Sequence, residues 1–229
     1  MNKKKNILVV AAHPDDEVLG CGGTIAKYKN IYNFSCLFLT DGVSSRFPEK
    51  KKNKKSINKR RISAKKAKKI LGIKKIFFGD FPDNSLDTVS FLSIVKFVEK
   101  YIKLIKPFRI YTHFGDDLNI DHQLASRAVI TATRPKAKNK VDEILFFEVP
   151  SSTEWNFRLS KNLFNPNVFE NIEKTIKIKK KALNSYHQEL ESYPHPRSLK
   201  AIVNLSKYRG TMSASKYAES FILARQINV

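Results

Sequence analysis

The sequence is poor in cysteine, in tryptophan and in acidic residues relative to basic ones, and it lacks long apolar runs. Two cysteines, Cys21 and Cys36, both inside apolar stretches, cannot make a disulfide framework, so a reducing cytoplasm is the expected home. No window approaches the ~18 to 20 consecutive apolar residues of a membrane helix. The charges of Met1 to Lys5 precede only the short run Ile7 to Ala12, so neither a membrane span nor an export signal is expected. What is present excludes wholesale disorder: 41% of the residues are hydrophobic and 28% charged, and 229 residues suffice for one domain with a large core, residues 1–229.

The charge balance is 43 basic against 21 acidic residues, a net +22. Such an excess raises nucleic acid or an anionic surface as a partner, but lysine far outnumbers arginine and no nucleic-acid-binding motif accompanies it. Nucleic acid is therefore not the expected partner, although the charge would favour an anionic small substrate. The densest run, Lys50 to Lys69, reads as a solvated helix face; Phe47, Pro48 and Asn53 predict a mobile loop before that helix.

Short β-branched or aromatic runs alternate with longer segments of helical spacing. Strands are predicted at Ile7 to Ala12, Phe34 to Thr40, Lys75 to Phe78, Arg109 to Thr112 and Ile144 to Val149. Helices are predicted at Leu19 to Lys29, Ile57 to Leu71, Val89 to Ile105 and His122 to Thr133. After Pro150, Phe169 to Leu190 reads as an amphipathic helix, Leu199 to Tyr208 as another, and Phe221 to Ala224 as a last strand. The expected fold is a Rossmann-like, three-layer α/β domain with a mostly parallel sheet and an appended C-terminal helical region.

The first strand runs straight into Ala12-His13-Pro14-Asp15-Asp16-Glu17. In open parallel sheets ligands gather beyond the carboxyl ends of the strands, and three adjacent acids there repel one another unless a divalent cation offsets the charge. A polar turn with an aspartate N-cap is the plain alternative. The fourth strand ends in His113 and Gly115-Asp116-Asp117-Leu118-Asn119-Ile120-Asp121-His122, a second carboxyl-end loop with histidine and aspartate. The two loops can converge on one ion through two histidines and one carboxylate, with a position left for water.

Together with Leu19-Gly20-Cys21-Gly22-Gly23-Thr24, Thr40-Asp41-Gly42, Leu71-Gly72, Pro82-Asp83, Tyr186-His187-Gln188, Tyr208-Arg209-Gly210 and Ala218-Glu219-Ser220-Phe221, these segments resemble the PIG-L-type zinc-dependent N-deacetylases, which remove acetyl groups from N-acetylated amino sugars. The resemblance implies Zn2+, or another divalent transition metal, held by His13, Asp16 and His122, with Asp15 as general base. It also implies a small-molecule N-acetyl sugar as substrate and a role in glycoconjugate biosynthesis. Glu17 would orient the loop or cap the next helix, and Asp121 would hold His122 in its metal-binding tautomer.

Two positions depart from the family. Asn119 stands where many members have a histidine that protonates the leaving amine, and an amide has no proton to give; the acid is then His113, His195 or Asp15 returning its proton. Ser63 stands where the family often has a glutamate after the equivalent of Arg60. Substrate contacts are expected from Asn119, from Arg46, Arg60 and Arg197 as anion-binding forks, from Trp155 as a stacking ring or a core-edge filler, and from His195 on a loop stiffened by Pro194 and Pro196. Other readings are an amidase acting on a non-sugar amide and a basic nucleic-acid- or surface-binding protein. A homo-oligomer is compatible with the sequence.

Overall fold

The computed structural model describes residues 4–46, 50–135, 140–157 and 162–228, the side chains of residues 50–53 excepted. A seven-stranded sheet runs β3-β2-β1-β4-β5-β7-β6, built from β1 (Asn6–Ala11), β2 (Asn33–Thr40), β3 (Lys75–Phe81), β4 (Arg109–His113), β5 (Glu143–Phe147), β6 (Val168–Asn171) and β7 (Ala218–Gln226). The first five strands pair in parallel; β7 pairs antiparallel with both β5 and β6. This is the expected mostly parallel sheet with an antiparallel edge.

The apolar run of β1 has no polar alternation because both of its faces are covered. Ile7, Val9 and Ala11 pack into one core with α1 (Asp16–Tyr28), α2 (Lys50–Leu71), α5 (Ile176–Leu183) and α6 (Leu199–Thr211). Leu8, Val10 and Ala12 pack into the other with α3 (Phe91–Ile105) and α4 (Ile120–Ala132). These are three layers, α/β/α. Among the described residues no helix is long and apolar enough to cross a membrane.

Three expectations need correction. The helix predicted over Phe169 to Leu190 is divided: Val168–Asn171 is strand β6, and the helix starts only at Ile176. Phe169 and Ile172 fit a helical stripe, yet a short apolar run fits a strand equally well, and pairing with β7 decides. α2 begins at Lys50 rather than Ile57, so the backbone at Asn53 is helical; Phe47 and Pro48 lie outside the described residues.

α1 is kinked at Cys21, whose φ/ψ of −142°/20° is not helical. The break exposes backbone groups that must find partners inside the core. Glu219 of β7 supplies them, accepting hydrogen bonds from the backbone N–H of Gly23 (2.8 Å) and Thr24 (2.7 Å) and from the Thr24 hydroxyl (2.7 Å). Lys179 of α5 joins Glu219 (2.6 Å) and donates to the Leu19 carbonyl (2.8 Å). Gly20 lies so close to Phe147 that a Cβ there would fall 2.3 Å from the ring.

Candidate metal centre and active-site cleft

Strand order reverses between β1 and β4, so the loops that follow these neighbouring strands part and leave a crevice. Into it project His13, Asp15 and Asp16 from the β1–α1 turn and His122 from the first turn of α4. All four are buried. His13 Nδ1 lies 3.2 Å from Asp16 Oδ2 and 3.2 Å from His122 Nε2, and His122 Nε2 lies 3.5 Å from Asp16 Oδ2.

That triangle has the dimensions of a metal site. A tetrahedral ion with bonds of about 2.0–2.2 Å holds its ligands roughly 3.3–3.6 Å apart. The outer oxygen of Asp16, Oδ1, is buried without a hydrogen-bond partner. The nitrogen and carboxylate donors suit zinc or a neighbouring transition metal.

Each histidine is fixed from behind. His13 Nε2 meets Asp121 Oδ2 at 3.1 Å, and Asp121 in turn accepts the backbone N–H groups of Asn84 (2.7 Å) and Leu86 (2.9 Å). His122 Nδ1 meets Asp117 Oδ1 at 3.1 Å, and Asp117 is itself held by the hydroxyls of Ser152 and Thr153. The job expected of Asp121 on His122 therefore falls to Asp117, and Asp121 serves His13 instead. Helical geometry explains the exchange, because Asp121 and His122 are neighbours on α4 and point to different sides.

The charges respond to this crowding. Burial opposes a charged His13, but hydrogen bonds to Asp121 and Asp16 prevail and push its pKa up to about 10. His122 is likewise disfavoured by burial and raised to about 9 by Asp16 and Asp117. The surrounding carboxylates thus favour the protonated forms of both histidines when no metal is bound.

Asp15 has a backbone φ of 137°, a strained value for a residue with a side chain. Its N–H donates to Glu17 Oε2 (2.9 Å), and the Tyr186 hydroxyl donates to Glu17 Oε1 (2.7 Å). Burial drives the Glu17 pKa up to about 8, against the Tyr186 hydrogen bond. Asp15 Oδ2 faces Arg197 (3.1 Å) and Arg60 (3.7 Å), while Oδ1 is buried and unpartnered. Burial raises the Asp15 pKa and the two guanidinium groups only partly offset this.

Above Asp15 opens a polar cleft of about 220 Å³ whose wall includes Arg46, Arg60, Arg197, Asn119 and His195. Arg46 and Arg60 do not present free forks: both reach Glu189, at 2.9 Å and 2.7 Å, and Arg60 also donates to the Gly42 carbonyl (3.2 Å). Arg197 spans from Asp15 to the Ser151 hydroxyl (2.8 Å). Asn119 is chiefly a loop fastener, its carbonyl capping α4 at the Asp121 N–H (2.8 Å) and its amide donating to Asn84 (2.8 Å). Trp155 is not on this wall; it packs edge-on against His195 with ring centroids 5.4 Å apart.

His195 accepts the Arg197 N–H at Nδ1 (3.1 Å), which leaves Nε2 to carry the proton of the neutral ring. His113 sits behind the cluster, stacked on His122 at 3.9 Å, and its Nε2 accepts the Ala12 N–H (2.9 Å). Burial holds it neutral and it does not reach the cleft. Sequence reasoning overlooked Asp117, Glu189, Ser151 and Asn84. Asp117 was visible as a second acid in the His113–His122 loop, whereas Glu189 carries no local signal.

A Rossmann-type α/β protein with a buried two-histidine, one-aspartate centre at its switch point is the class that fold and site define. Residues 8–133 match the family described as PIG-L, GlcNAc-PI de-N-acetylase, and the chain belongs to that family. It is 31% identical over 192 residues to the uncharacterized deacetylase YaiS of Escherichia coli K12, covering 77% of this chain and 89% of that one. To the diacetylchitobiose deacetylase of Thermococcus kodakarensis it is 26% identical, covering 95% and 82%. The conserved protein TT1542 of Thermus thermophilus shares the fold with a TM-score of 0.76, 25% identity and coverage of 97% and 96%. A TM-score of 0.76 is also reached at 21% identity by GalB, the 4-carboxy-2-hydroxymuconate hydratase of Pseudomonas putida KT2440, covering 98% of both chains.

Proposed function

We propose that the protein is a zinc-dependent N-deacetylase, one domain over residues 1–229, that hydrolyses the acetamide of an N-acetylamino sugar or its nucleotide-, lipid- or thiol-linked conjugate in glycoconjugate biosynthesis. The observation that carries this reading is the buried triangle of His13, Asp16 and His122 beside the unpartnered Oδ1 of Asp15. The Thermococcus relative, named for an N-acetylated disaccharide, supports the substrate class.

A zinc ion held by the three side chains would supply Lewis acidity, making water a better nucleophile near neutral pH and polarising the acetamide carbonyl. Asp15 accepts the proton of the attacking water as its oxygen bonds to the carbonyl carbon, and returns that proton to the nitrogen as the C–N bond breaks. Burial suits it to both halves, because a raised proton affinity makes it a base that holds the proton long enough to deliver it. Arg197 and Arg60 keep its Oδ2 fixed so that Oδ1 stays free. Asn119 has no proton to give and His113 is closed off; of the two groups left at the cleft, Asp15 already holds the proton taken from water and so returns it, and His195 serves as a substrate-facing ring.

One observation favours a second reading, a metal-dependent amidase acting on a non-sugar amide: among the described residues the cleft wall has no Phe, Tyr or Trp on which a sugar face could stack. Released acetate is the deciding measurement, with zinc-loaded protein offered N-acetyl sugars, nucleotide sugars, thiol–sugar conjugates and N-acetylated amino acids. Turnover confined to the sugars is expected; turnover of the amino acids alone replaces the first reading with the second, and a blank across the panel sinks both.

A further inference from the structure

Asp15 is the N-cap of α1, and its carbonyl accepts the N–H groups of Val18 (2.9 Å) and Leu19 (3.0 Å). An aspartate at that position ordinarily spends its carboxylate on the first N–H groups of the helix, but this one makes no such bond. Its carboxylate is turned to the cleft instead, and its backbone φ of 137° is one that a side chain disfavours. A conformation of that kind persists only where its surroundings hold it.

The helix holds the carbonyl side of Asp15. Its N–H side rests on Glu17 Oε2 (2.9 Å), and the other oxygen of Glu17 meets the Tyr186 hydroxyl at 2.7 Å. Glu17 and Tyr186 are both buried, so water does not replace either bond. The Tyr186 ring also lies under Arg60, 6.0 Å from the guanidinium carbon, and Arg60 faces Asp15 Oδ2. Tyr186 is not on the wall of the cleft itself.

We infer that Tyr186 is a positioning residue for the deacetylation: through Glu17 its hydroxyl holds the Asp15 N–H, and with it the strained backbone that keeps Oδ1 free for the reacting atoms. The inference rests on the deacetylase reading. Because Tyr186 meets neither the cleft nor the three metal-type donors, losing the hydroxyl slows the reaction without weakening the binding of substrate or metal.

Tyr186→Phe tests this, since it keeps the ring under Arg60 and removes only the hydroxyl. With the N-acetyl sugar selected by the acetate assay, kcat should fall about tenfold, while KM and zinc content stay within about twofold of wild type. Glu17→Gln should stay within about threefold in kcat, because its amide oxygen accepts the Asp15 N–H and its NH2 donates to the Tyr186 oxygen. Amide hydrogen exchange adds a reading that needs no turnover. In Tyr186→Phe the Asp15 N–H should exchange about tenfold faster, whereas the Ala12 N–H, held by His113 at 2.9 Å, should keep its wild-type rate. An unchanged kcat, a change in KM alone, a tenfold loss in Glu17→Gln, or acceleration shared by Ala12 overturns the inference. If the wild-type protein turns over no N-acetyl sugar, the deacetylase reading falls and the exchange rates alone decide: acceleration confined to Asp15 keeps Tyr186 as its brace, and any other pattern removes it.

Discussion

The floor of the cleft and its rim are assembled in opposite ways. At the floor, His13, Asp15 and Asp16 fall within four consecutive positions, His122 follows in the first turn of α4 beyond the adjacent strand, and each histidine is braced by a buried acid. At the rim, Arg46, Arg60, Glu189 and Arg197 come from four separate elements, and their charges are spent largely on one another. Short spacing fixes geometry through local backbone, whereas long spacing leaves it to side chains reaching in from separate elements. The floor should therefore tolerate almost nothing and the rim a good deal.

The largest effect is expected from His13→Ala or His122→Ala. Either variant should remain folded by circular dichroism, carry no stoichiometric metal in elemental analysis and show no measurable turnover. Retention of full metal content by both would break the comparison at its base.

Asp15→Asn should keep its metal and lose turnover by ~10²- to 10⁴-fold, the scale of a missing general base. Asp16→Asn should lose both. Identical behaviour of the two variants would mean that the neighbouring carboxylates have been assigned the wrong roles.

Acid supplies the next test. Below about pH 9 the metal-free cluster holds protons on His13 and His122, whose pKa values are about 10 and about 9, and metal must displace both. Affinity should therefore rise about a hundredfold per pH unit between pH 6 and 8, as read by competition with a chelator. The stability of the metal-free protein should run the other way. A raised folded-state pKa stabilises fully below the unfolded value of 6.5 and ceases to do so as pH passes about 9 to 10, so its melting temperature should fall over that window. A metal affinity flat in pH would show that the histidines are already neutral.

Asp117→Asn should weaken metal affinity by about 10- to 100-fold while leaving the fold intact, since the amide no longer supports the donor nitrogen of His122. The smallest effect belongs to the rim. Arg46→Ala removes a half-exposed partner of Glu189 and should change turnover by less than about threefold and stability by less than about 1 kcal/mol in urea titrations. A rim variant as damaging as Asp117→Asn would erase the distinction.

This contrast also explains what could be read from the sequence. The parallel strands and the helices α1, α3, α4 and α6 were legible because apolar periodicity is written locally, and so were the four floor residues. Asp121 was read onto the wrong histidine because adjacency in sequence says nothing about which side of α4 a carboxylate faces. β6 was hidden in a helix-like stripe because its identity depends on β7, some fifty residues away. The mutual neutralisation of Arg60, Arg46 and Glu189 was equally unreadable, since α2 and the turn Asn184–Glu189 meet only in three dimensions.

The carboxylate that caps the broken helix α1 is at position 219, whereas the metal-type donors in the turn leading into that helix begin at position 13. The His13-to-Asp16 turn is synthesised long before β7, and the segment behind it cannot satisfy the inward backbone N–H groups of Gly23 and Thr24 until β7 has been made. Support for the centre is thus complete only once β7 is in place. A nascent chain that lacks β7 would hold these histidines and acids in a loosely organised turn, and high-affinity metal capture would follow the docking of β7.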